Sequence, residues 1–183
     1  MVSEPLSGKK ILMVIARDNF RDEEYSYPRE IFESNGARVI VAAETSRECR
    51  GMLGLKVTPH LPIRNVRPNG YDAVVIVGGT GAQKYLWEDA DLHVIIQKVH
   101  SSGKIVGAIC LAGVVLARAG ILQGKKVTVY KTPESLNEIQ NVNARYLPES
   151  LVIDGNIITA DGPRAAKEFG KAIVEALMTE NKR

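Results

Sequence analysis

Apolar residues along the chain fall into short, nearly continuous runs that alternate with amphipathic stretches. An apolar run with charged ends is typical of a strand that is covered on both faces in a parallel sheet. Strands are predicted at 9–17, 37–44, 71–79, 104–109 and 125–130, with a shorter extended piece at 55–63. Residues 151–160 predict two further strands joined by an Asp154-Gly155-Asn156 turn.

The segments between these strands carry apolar residues at helical spacing. Helices are predicted at 24–34, 89–103, 111–120 and 163–182. Pro28 is tolerated if it lies in the first turn of its helix, and Pro163 opens the last helix. Because strands alternate with helices, the chain is predicted to form an α/β fold, a flavodoxin-like doubly wound sandwich with a mostly parallel sheet and helices on both faces.

Composition narrows this picture to one domain. The 183 residues, 45% of them hydrophobic, suit a single domain over 1–183, with residues 1–8 as a flexible N-terminal extension. Lysine and arginine number 24 against 21 acidic residues, so no nucleic-acid or anionic-membrane surface is expected. The N-terminus lacks the apolar core of a signal peptide, and no apolar run reaches the roughly 20 residues that span a bilayer. A soluble, cytoplasmic protein is predicted.

The two cysteines make neither a disulfide framework nor a metal-ligand spacing. Cys49 lies in a charged segment, which predicts a surface thiol without a role. Cys110 follows a predicted strand and precedes a predicted helix with no loop between them, which favours a nucleophile elbow. The helix N-terminus is expected to lower the pKa of this thiol. The alternative is a buried structural cysteine.

Other chemical groups follow the predicted strands at the edge where their carboxyl ends meet, the edge at which open parallel sheets bind ligands. Glu24 starts the first helix, either as a functional carboxylate or as a solvated helix-start acid. Gly78 and Gly79 follow the third buried strand. They either present backbone N–H groups to an oxyanion or form only a tight turn.

The histidines do not complete a triad with Cys110 in sequence order. His60, His93 and His100 all precede the cysteine. A triad in the chain order Cys, His, acid is therefore excluded. Each histidine is interpreted as a solvated or hydrogen-bonded structural residue.

With these residues in place, the sequence resembles the ThiJ/PfpI superfamily, also called DJ-one/PfpI, over nearly its whole length. Four stretches carry the resemblance and together are specific. They are "KILMVIARDNFRDEEYSYPREIFESNGARVIVA", "YDAVVIVGGTGA", "GAICLAGVVLARAGIL" followed by "GKKVT", and "DGNIITADGPRAAKEFGKAIVEAL".

The resemblance implies a flavodoxin-like fold with a reactive cysteine, Cys110, at a strained elbow. It implies that Glu24 is protonated and hydrogen-bonded to the thiolate or its oxidised form. It also implies an oxyanion hole made by the backbone N–H groups of Gly79 and Leu111. It calls for no metal or other cofactor. Because members of the family assemble as dimers or larger homo-oligomers, a homo-oligomer is expected here.

The chain departs from the family pattern at three positions. Protease-like members have histidine directly after the cysteine, where this chain has Leu111, which argues against a peptidase built on that pair. The deglycase branch has a histidine that aligns near Tyr130, so Tyr130 is expected to line the pocket instead. The stretch Asp161-Gly162-Pro163 stands where relatives have a Gly-Pro or His-Pro pair, so Asp161 supplies either a second polar group or the N-cap of the last helix.

These features favour a cysteine-dependent stress-protection enzyme of the glyoxalase or deglycase type, acting on small α-oxoaldehydes or their protein adducts. One alternative is a redox-sensing or chaperone-like protein that uses an oxidisable Cys110. Another is a cysteine peptidase or amidase completed by His60 or His100 of another subunit, and the last is a non-catalytic binding module. The expected partner is a small carbonyl substrate, with no nucleic acid and no membrane.

Overall fold

The computed structural model describes residues 4–180. Within them the strands are β1 (Lys10–Val14), β2 (Asp18–Phe20), β3 (Arg38–Ala43), β4 (Cys49–Gly51), β5 (Lys56–Val57), β6 (Leu61–Pro62), β7 (Ala73–Ile76), β8 (Ile105–Ile109), β9 (Lys126–Val127), β10 (Arg145–Tyr146), β11 (Leu151–Asp154) and β12 (Ile157–Ala160). The α-helices are α1 (Asp22–Ser34), α2 (Ala90–Ser101), α3 (Gly113–Arg118), α4 (Pro133–Asn141) and α5 (Ala166–Glu180). Over the same residues no helix is long and apolar enough to cross a membrane.

The central sheet has the strand order β11-β12-β8-β7-β1-β3-β6. Its neighbours pair in parallel except for β11 and β12, which form a hairpin at one edge. The chain crosses from β1 to β3 in one direction and from β7 to β8 in the other, so right-handed crossovers place α1 and α2 on opposite faces. The predicted doubly wound α/β fold is confirmed. The order reverses between β1 and β7, where such sheets form ligand sites.

Helices α1 and α5 pack against each other on one face of the sheet. They approach closely at Gly170, where an added Cβ would lie 3.1 Å from the Cα of Pro28. Helix α1 begins at Asp22, two residues before its predicted start, so Pro28 lies inside the helix rather than in its first turn.

Two predicted elements differ from the structure in the second half of the chain. The strand predicted at 125–130 is reduced to β9, which pairs with β10 outside the central sheet. Thr128 ends it, because its N–H donates to Thr159 Oγ1 (3.0 Å) and its hydroxyl donates to Glu149 O (2.7 Å). The helix predicted at 111–120 begins instead as a 3-10 turn, Cys110–Ala112, and continues as α3.

Other differences concern the last third of the chain. The final predicted helix also opens with a 3-10 turn, Pro163–Ala165, before α5, and its predicted end at 182 lies outside the described residues. Helix α4 is an element that the pattern of apolar residues did not indicate. Its start signal is a capping box, in which Thr132 and Ser135 each accept the other's backbone N–H.

The N-terminal segment and Cys49 are more buried than the sequence predicts. Residues 4–8, predicted as part of a flexible extension, form a turn in which Leu6 is fully buried and donates its N–H to Asn35 O at 2.8 Å. The rest of that extension, 1–3, lies outside the described residues. Cys49 is fully buried in β4, so the prediction of a surface thiol was wrong. Burial raises the pKa of Cys49 to about 12.

Candidate active site

Cys110 lies at the elbow between β8 and the 3-10 turn that leads into α3. Its φ of +61° is in the left-handed region, which residues with a Cβ rarely adopt. Tyr130 N–H donates to the carbonyl of Cys110 at 3.2 Å, and the indole N–H of Trp87 donates to the carbonyl of Leu111 at 2.8 Å. These bonds fix the turn in the nucleophile-elbow geometry that the sequence predicts.

Glu24 lies fully buried in the first turn of α1. Its Oε2 accepts the N–H of Gly78 at 2.9 Å, while Oε1 has no hydrogen-bond partner within the described part of the chain. Burial raises the pKa of Glu24 to about 8, although the Cys110 thiol and the Gly78 N–H act to lower it. The carboxyl is therefore mostly protonated at neutral pH, and it is not a solvated helix-start acid.

Burial also raises the pKa of the Cys110 thiol, and a negative charge on Glu24 would raise it further. The backbone N–H groups of Gly79 and Leu111 face the sulfur and lower this pKa. The neighbouring helix α3 has only six residues and begins three residues after the cysteine, so its dipole is weak at Sγ. The predicted lowering of the thiol pKa was therefore wrong in direction.

Glu24 and Cys110 titrate as one pair because their side chains are in contact. Loss of one proton leaves a carboxylate beside a thiol. Transfer of the remaining proton converts this into a thiolate beside a protonated carboxyl. The N–H groups of Gly79 and Leu111 stabilise the second form, since they are directed at the sulfur. After the pair has lost one proton, the nucleophilic thiolate is reached through this internal proton transfer.

The two glycines after β7 allow this strand end to touch the elbow. An added Cβ on Gly78 would lie 2.5 Å from Ile109 O and 2.6 Å from Cys110 Cβ. Gly79 has a φ of +102°, and an added Cβ would lie 2.5 Å from Asn19 O. Their N–H groups differ in role, because that of Gly78 binds Glu24 and that of Gly79 faces the sulfur.

A pocket of about 210 Å³ contains Cys110. Its lining comprises Arg21, Glu24, Met52, Gly79, Thr80, Cys110, Leu111, Tyr130 and Pro163. Sequence reasoning did not assign Arg21, Met52, Thr80 and Pro163 to the site. Thr80 and Pro163 lie beyond the carboxyl ends of β7 and β12, where ligand groups are expected in this fold. Arg21 follows β2, which continues the chain beyond β1. No pattern in the sequence connects Met52 with Cys110.

Met52 reaches the pocket because Asp22 anchors the turn between β4 and β5. The carboxylate of Asp22 accepts the N–H groups of Leu53 and Leu55, both at 2.8 Å. The N–H of Met52 donates to Phe20 O at 2.8 Å. A buried acid at the start of α1 thus holds an apolar wall beside the carboxyl of Glu24.

Arg21 is the cationic group of the pocket. It forms a salt bridge with Glu23 at 2.8 Å. Its positive charge lowers the pKa of Glu24, a smaller effect than the burial that raises it. The pocket therefore combines one cation with a carboxyl that is largely neutral at pH 7.

Asp161 takes neither of its predicted roles. It does not line the Cys110 pocket, and it does not cap the last helix. It lines a neighbouring groove of about 810 Å³, which shares Tyr130 and Pro163 with that pocket. The residue at the N-cap of the following turn is Gly162, and no side chain caps it. Tyr130 lines the Cys110 pocket as the sequence predicts.

Two of the three histidines, His60 and His93, have hydrogen bonds of a structural kind, whereas Nδ1 of His100 is buried without a partner among the described residues. His60 Nδ1 accepts the N–H of Val41 at 2.9 Å, and His93 Nε2 bonds the carbonyl of Trp87 at 2.9 Å. Burial lowers the pKa of His100. Among residues 4–180, no three His, Cys, Asp or Glu side chains are grouped so that they could hold a metal ion.

The chain is similar to known proteins over almost its whole length. The model of the DJ-1/PfpI family matches residues 9–176. An uncharacterised protein of Methanocaldococcus jannaschii is 47% identical over 178 residues, which cover 97% of this chain and 87% of the relative. The crystal structure of a ThiJ/PfpI domain protein from Brachyspira murdochii aligns with a TM-score of 0.88 and 34% identity, covering 93% of this chain and 96% of that one. The crystal structure of Drosophila melanogaster DJ-1beta aligns with a TM-score of 0.83 and 28% identity, covering 95% and 92%.

Proposed function

The chain belongs to the DJ-1/PfpI family, and on this premise we propose that it is a cysteine-dependent enzyme that converts small α-oxoaldehydes, or their early adducts on proteins, without glutathione. One observation carries the proposal. Cys110, the buried carboxyl of Glu24 and the N–H groups of Gly79 and Leu111 meet in a single pocket. These are the nucleophile, proton carrier and oxyanion donors that carbonyl addition requires.

The size of the pocket suits a short carbonyl compound. Its volume is about 210 Å³, and a water molecule occupies about 30 Å³ in the liquid. A molecule such as methylglyoxal fits this space. Met52, Leu111 and Pro163 give one part of the wall an apolar character that suits its methyl group.

In the first step the Cys110 sulfur attacks the aldehyde carbon. The C–S bond forms, the carbonyl π bond breaks, and the thiol proton passes through Glu24 to the former carbonyl oxygen. The N–H groups of Gly79 and Leu111 bind the oxygen while it carries negative charge. The product of this step is a hemithioacetal on Cys110.

In the second step Glu24, as a carboxylate, removes the proton from the carbon bonded to sulfur, which gives an enediolate. The hydroxyl proton on that carbon passes to the neighbouring carbonyl oxygen, and Glu24 returns its own proton to the neighbouring carbon. The hemithioacetal becomes the thioester of an α-hydroxy acid. Water then attacks the thioester, which releases the acid and restores the thiol. The sum is oxoaldehyde plus water to hydroxy acid, so no outside oxidant or reductant is needed.

Turnover of methylglyoxal to lactate is expected to rise by about tenfold between pH 7 and pH 9, because the base is the carboxylate of Glu24, whose pKa is about 8. The measurement is lactate formed without glutathione at high enzyme concentration, across this pH range. Cys110→Ser is the blank, and Cys49→Ala is the matched control because Cys49 lies outside the pocket. Absence of lactate from the wild type at every pH, or equal rates from Cys110→Ser, would contradict the proposal.

A second candidate function, redox sensing, is favoured by the surroundings of the sulfur. The N–H groups of Gly79 and Leu111 face Sγ, and a protonated Glu24 adds a third donor. Together they match the oxygen acceptors of a sulfinate. Two molecules of peroxide would oxidise the thiol to sulfinic acid and be reduced to water.

Mild peroxide is expected to add two oxygen atoms to Cys110 and none to Cys49, as read by mass spectrometry of the digested protein. In Glu24→Leu the sulfinate is expected to be lost or oxidised further, because its donor is missing. Glu30→Leu, an exposed acid on the same helix, is the control. Equal oxidation of both cysteines, or the same product in Glu24→Leu, would exclude this function.

The expectations of a homodimer or larger homo-oligomer, a cytoplasmic location and no cofactor remain part of the proposal. Size measurement in solution tests the first of them. The mechanism above needs only groups from one chain, so it does not depend on the oligomeric state.

A further inference from the structure

Trp87 connects the two chain segments that supply N–H groups to the sulfur. It is the one tryptophan of the sequence and is 95% buried, with 5% of its surface exposed. Its indole N–H donates to the carbonyl of Leu111 at 2.8 Å. Trp87 therefore binds Leu111, the residue whose own N–H faces Cys110.

The backbone of Trp87 leads to the other donor. Trp87 N–H donates to Ala82 O at 3.0 Å, and Ala82 N–H donates to Gly79 O at 3.1 Å. Between them the chain forms a π-helical turn, Ala82–Leu86. Such turns are rare and occur frequently at functional sites. Trp87 follows this turn directly, and its indole reaches the carbonyl of Leu111 at the elbow.

Trp87 makes one further contact through its backbone and one through its ring. His93 Nε2 bonds the carbonyl of Trp87 at 2.9 Å. The guanidinium of Arg118, in α3, lies over the indole ring at 5.6 Å from its centroid. Arg118 is in turn paired with Glu88 at 3.0 Å and Glu138 at 2.7 Å. Burial fixes the ring whether or not this cation is present, so the bond to Leu111 is the contact that acts on the elbow.

We propose that Trp87 is a positioning residue, which holds the N–H groups of Gly79 and Leu111 at the spacing at which both face Cys110 Sγ. It touches neither the sulfur nor the pocket, since it is absent from the pocket lining. Its effect on turnover rests on the proposed function, whereas its effect on the thiol does not.

The test compares Trp87→Phe with Arg118→Met. The first keeps an aromatic ring but removes the N–H donor, and the second removes the cation over the ring but keeps the donor. For Trp87→Phe we expect slower alkylation of Cys110 by iodoacetamide at pH 8 and a pH profile displaced to higher pH. Turnover of methylglyoxal is expected to lose about 10- to 100-fold in kcat, with KM changed less than about twofold because binding of the ground state is intact. Arg118→Met is expected to keep the wild-type alkylation of Cys110 and the wild-type turnover of methylglyoxal.

A wild-type measurement covers the case in which Trp87→Phe does not fold. The single indole N–H gives one resonance in a nitrogen-15 correlation spectrum, and alkylation of Cys110 is expected to shift it. An unshifted resonance, or a folded Trp87→Phe with wild-type alkylation and kcat, would overturn the proposal. If no protein turns over methylglyoxal but the alkylation profile is displaced in Trp87→Phe, the proposed function fails and the role of Trp87 stands.

Discussion

Glu24→Gln is expected to lower the turnover of methylglyoxal by about 10³-fold, the middle of the range for loss of a general acid–base group. Glutamine keeps the size of the side chain and an oxygen that can accept the N–H of Gly78. It cannot carry a proton from sulfur to oxygen or between carbons. The residual rate is expected to lose its rise between pH 7 and pH 9, because the group with a pKa of about 8 is absent.

The same substitution is expected to stabilise the protein at alkaline pH. The pKa of Glu24 rises from an ordinary value of 4.5 to about 8 on folding, so between these two values the native state holds a proton that the unfolded chain has lost. The free energy of unfolding therefore falls as the pH rises through this window, and the full stability of this group exists only below about pH 4.5. The wild type therefore loses roughly 3 to 5 kcal/mol of its free energy of unfolding at pH 8.5. Glu24→Gln avoids this loss because glutamine has no proton to lose.

Urea unfolding at pH 5 and pH 8.5 measures the change in stability, and lactate formation measures the change in turnover. Glu30→Gln, on the exposed side of the same helix, is the matched control for both. Wild-type turnover in Glu24→Gln would remove Glu24 from the mechanism. An equal pH dependence of stability in wild type and Glu24→Gln would show that the carboxyl is ionised in the folded protein.

Gly78→Ala is expected to destabilise the protein by about 3 kcal/mol or more, the upper range for a side chain forced into a filled space. The added methyl group would lie 2.5 Å from Ile109 O, 2.6 Å from Cys110 Cβ and 2.6 Å from Glu24 Oε2. Ile109 O is a backbone atom and Cys110 Cβ is attached directly to the backbone, so a change of side-chain rotamer cannot move either of them away. Relief requires β7 to separate from the elbow, which also separates Glu24 from the thiol.

Urea unfolding and alkylation of Cys110 by iodoacetamide measure the two consequences. Gly70→Ala is the matched control, because its added methyl group would meet only Lys10 Nζ, at 3.9 Å. We expect Gly70→Ala to remain within about 0.5 kcal/mol of wild type. A Gly78→Ala protein with wild-type stability and alkylation rate would show that the glycine is not needed for the contact between the two strand ends.

Much of the fold was predictable because burial leaves a direct signal in the sequence. Strands β1, β3, β7 and β8 are covered on both faces, and each is an almost unbroken apolar run. The failures occurred where the backbone is held by polar side chains. Thr128 shortens a predicted strand through two hydrogen bonds, and Thr132 starts a helix through a capping box. Such bonds depend on partners that apolar periodicity does not report.

For the candidate site, the sequence indicated which residues follow the strand ends, but it did not predict the pKa values of their side chains. Cys110, Glu24 and Gly79 meet as the resemblance to a known family implied. The direction of the thiol pKa was wrong because helix α3 is short and the sulfur is buried. Asp161 was assigned to a pocket that it only adjoins, and Met52 was missed because a buried acid elsewhere in the chain, Asp22, holds it there.

The sequence by itself determined the α/β class, the order of the buried central strands and of four of the five α-helices within 4–180, and the thiol at the join between β8 and the following turn. These depend on local order along the chain, since apolar runs, turn residues and the spacing of glycines act over a few neighbours. Only the tertiary structure decided that Glu24 is buried and neutral at pH 7, that Gly78 binds it, and that Trp87 ties together the donors around the sulfur. Those properties depend on desolvation and on contacts between residues far apart in the chain, and both arise only when the strand ends come together.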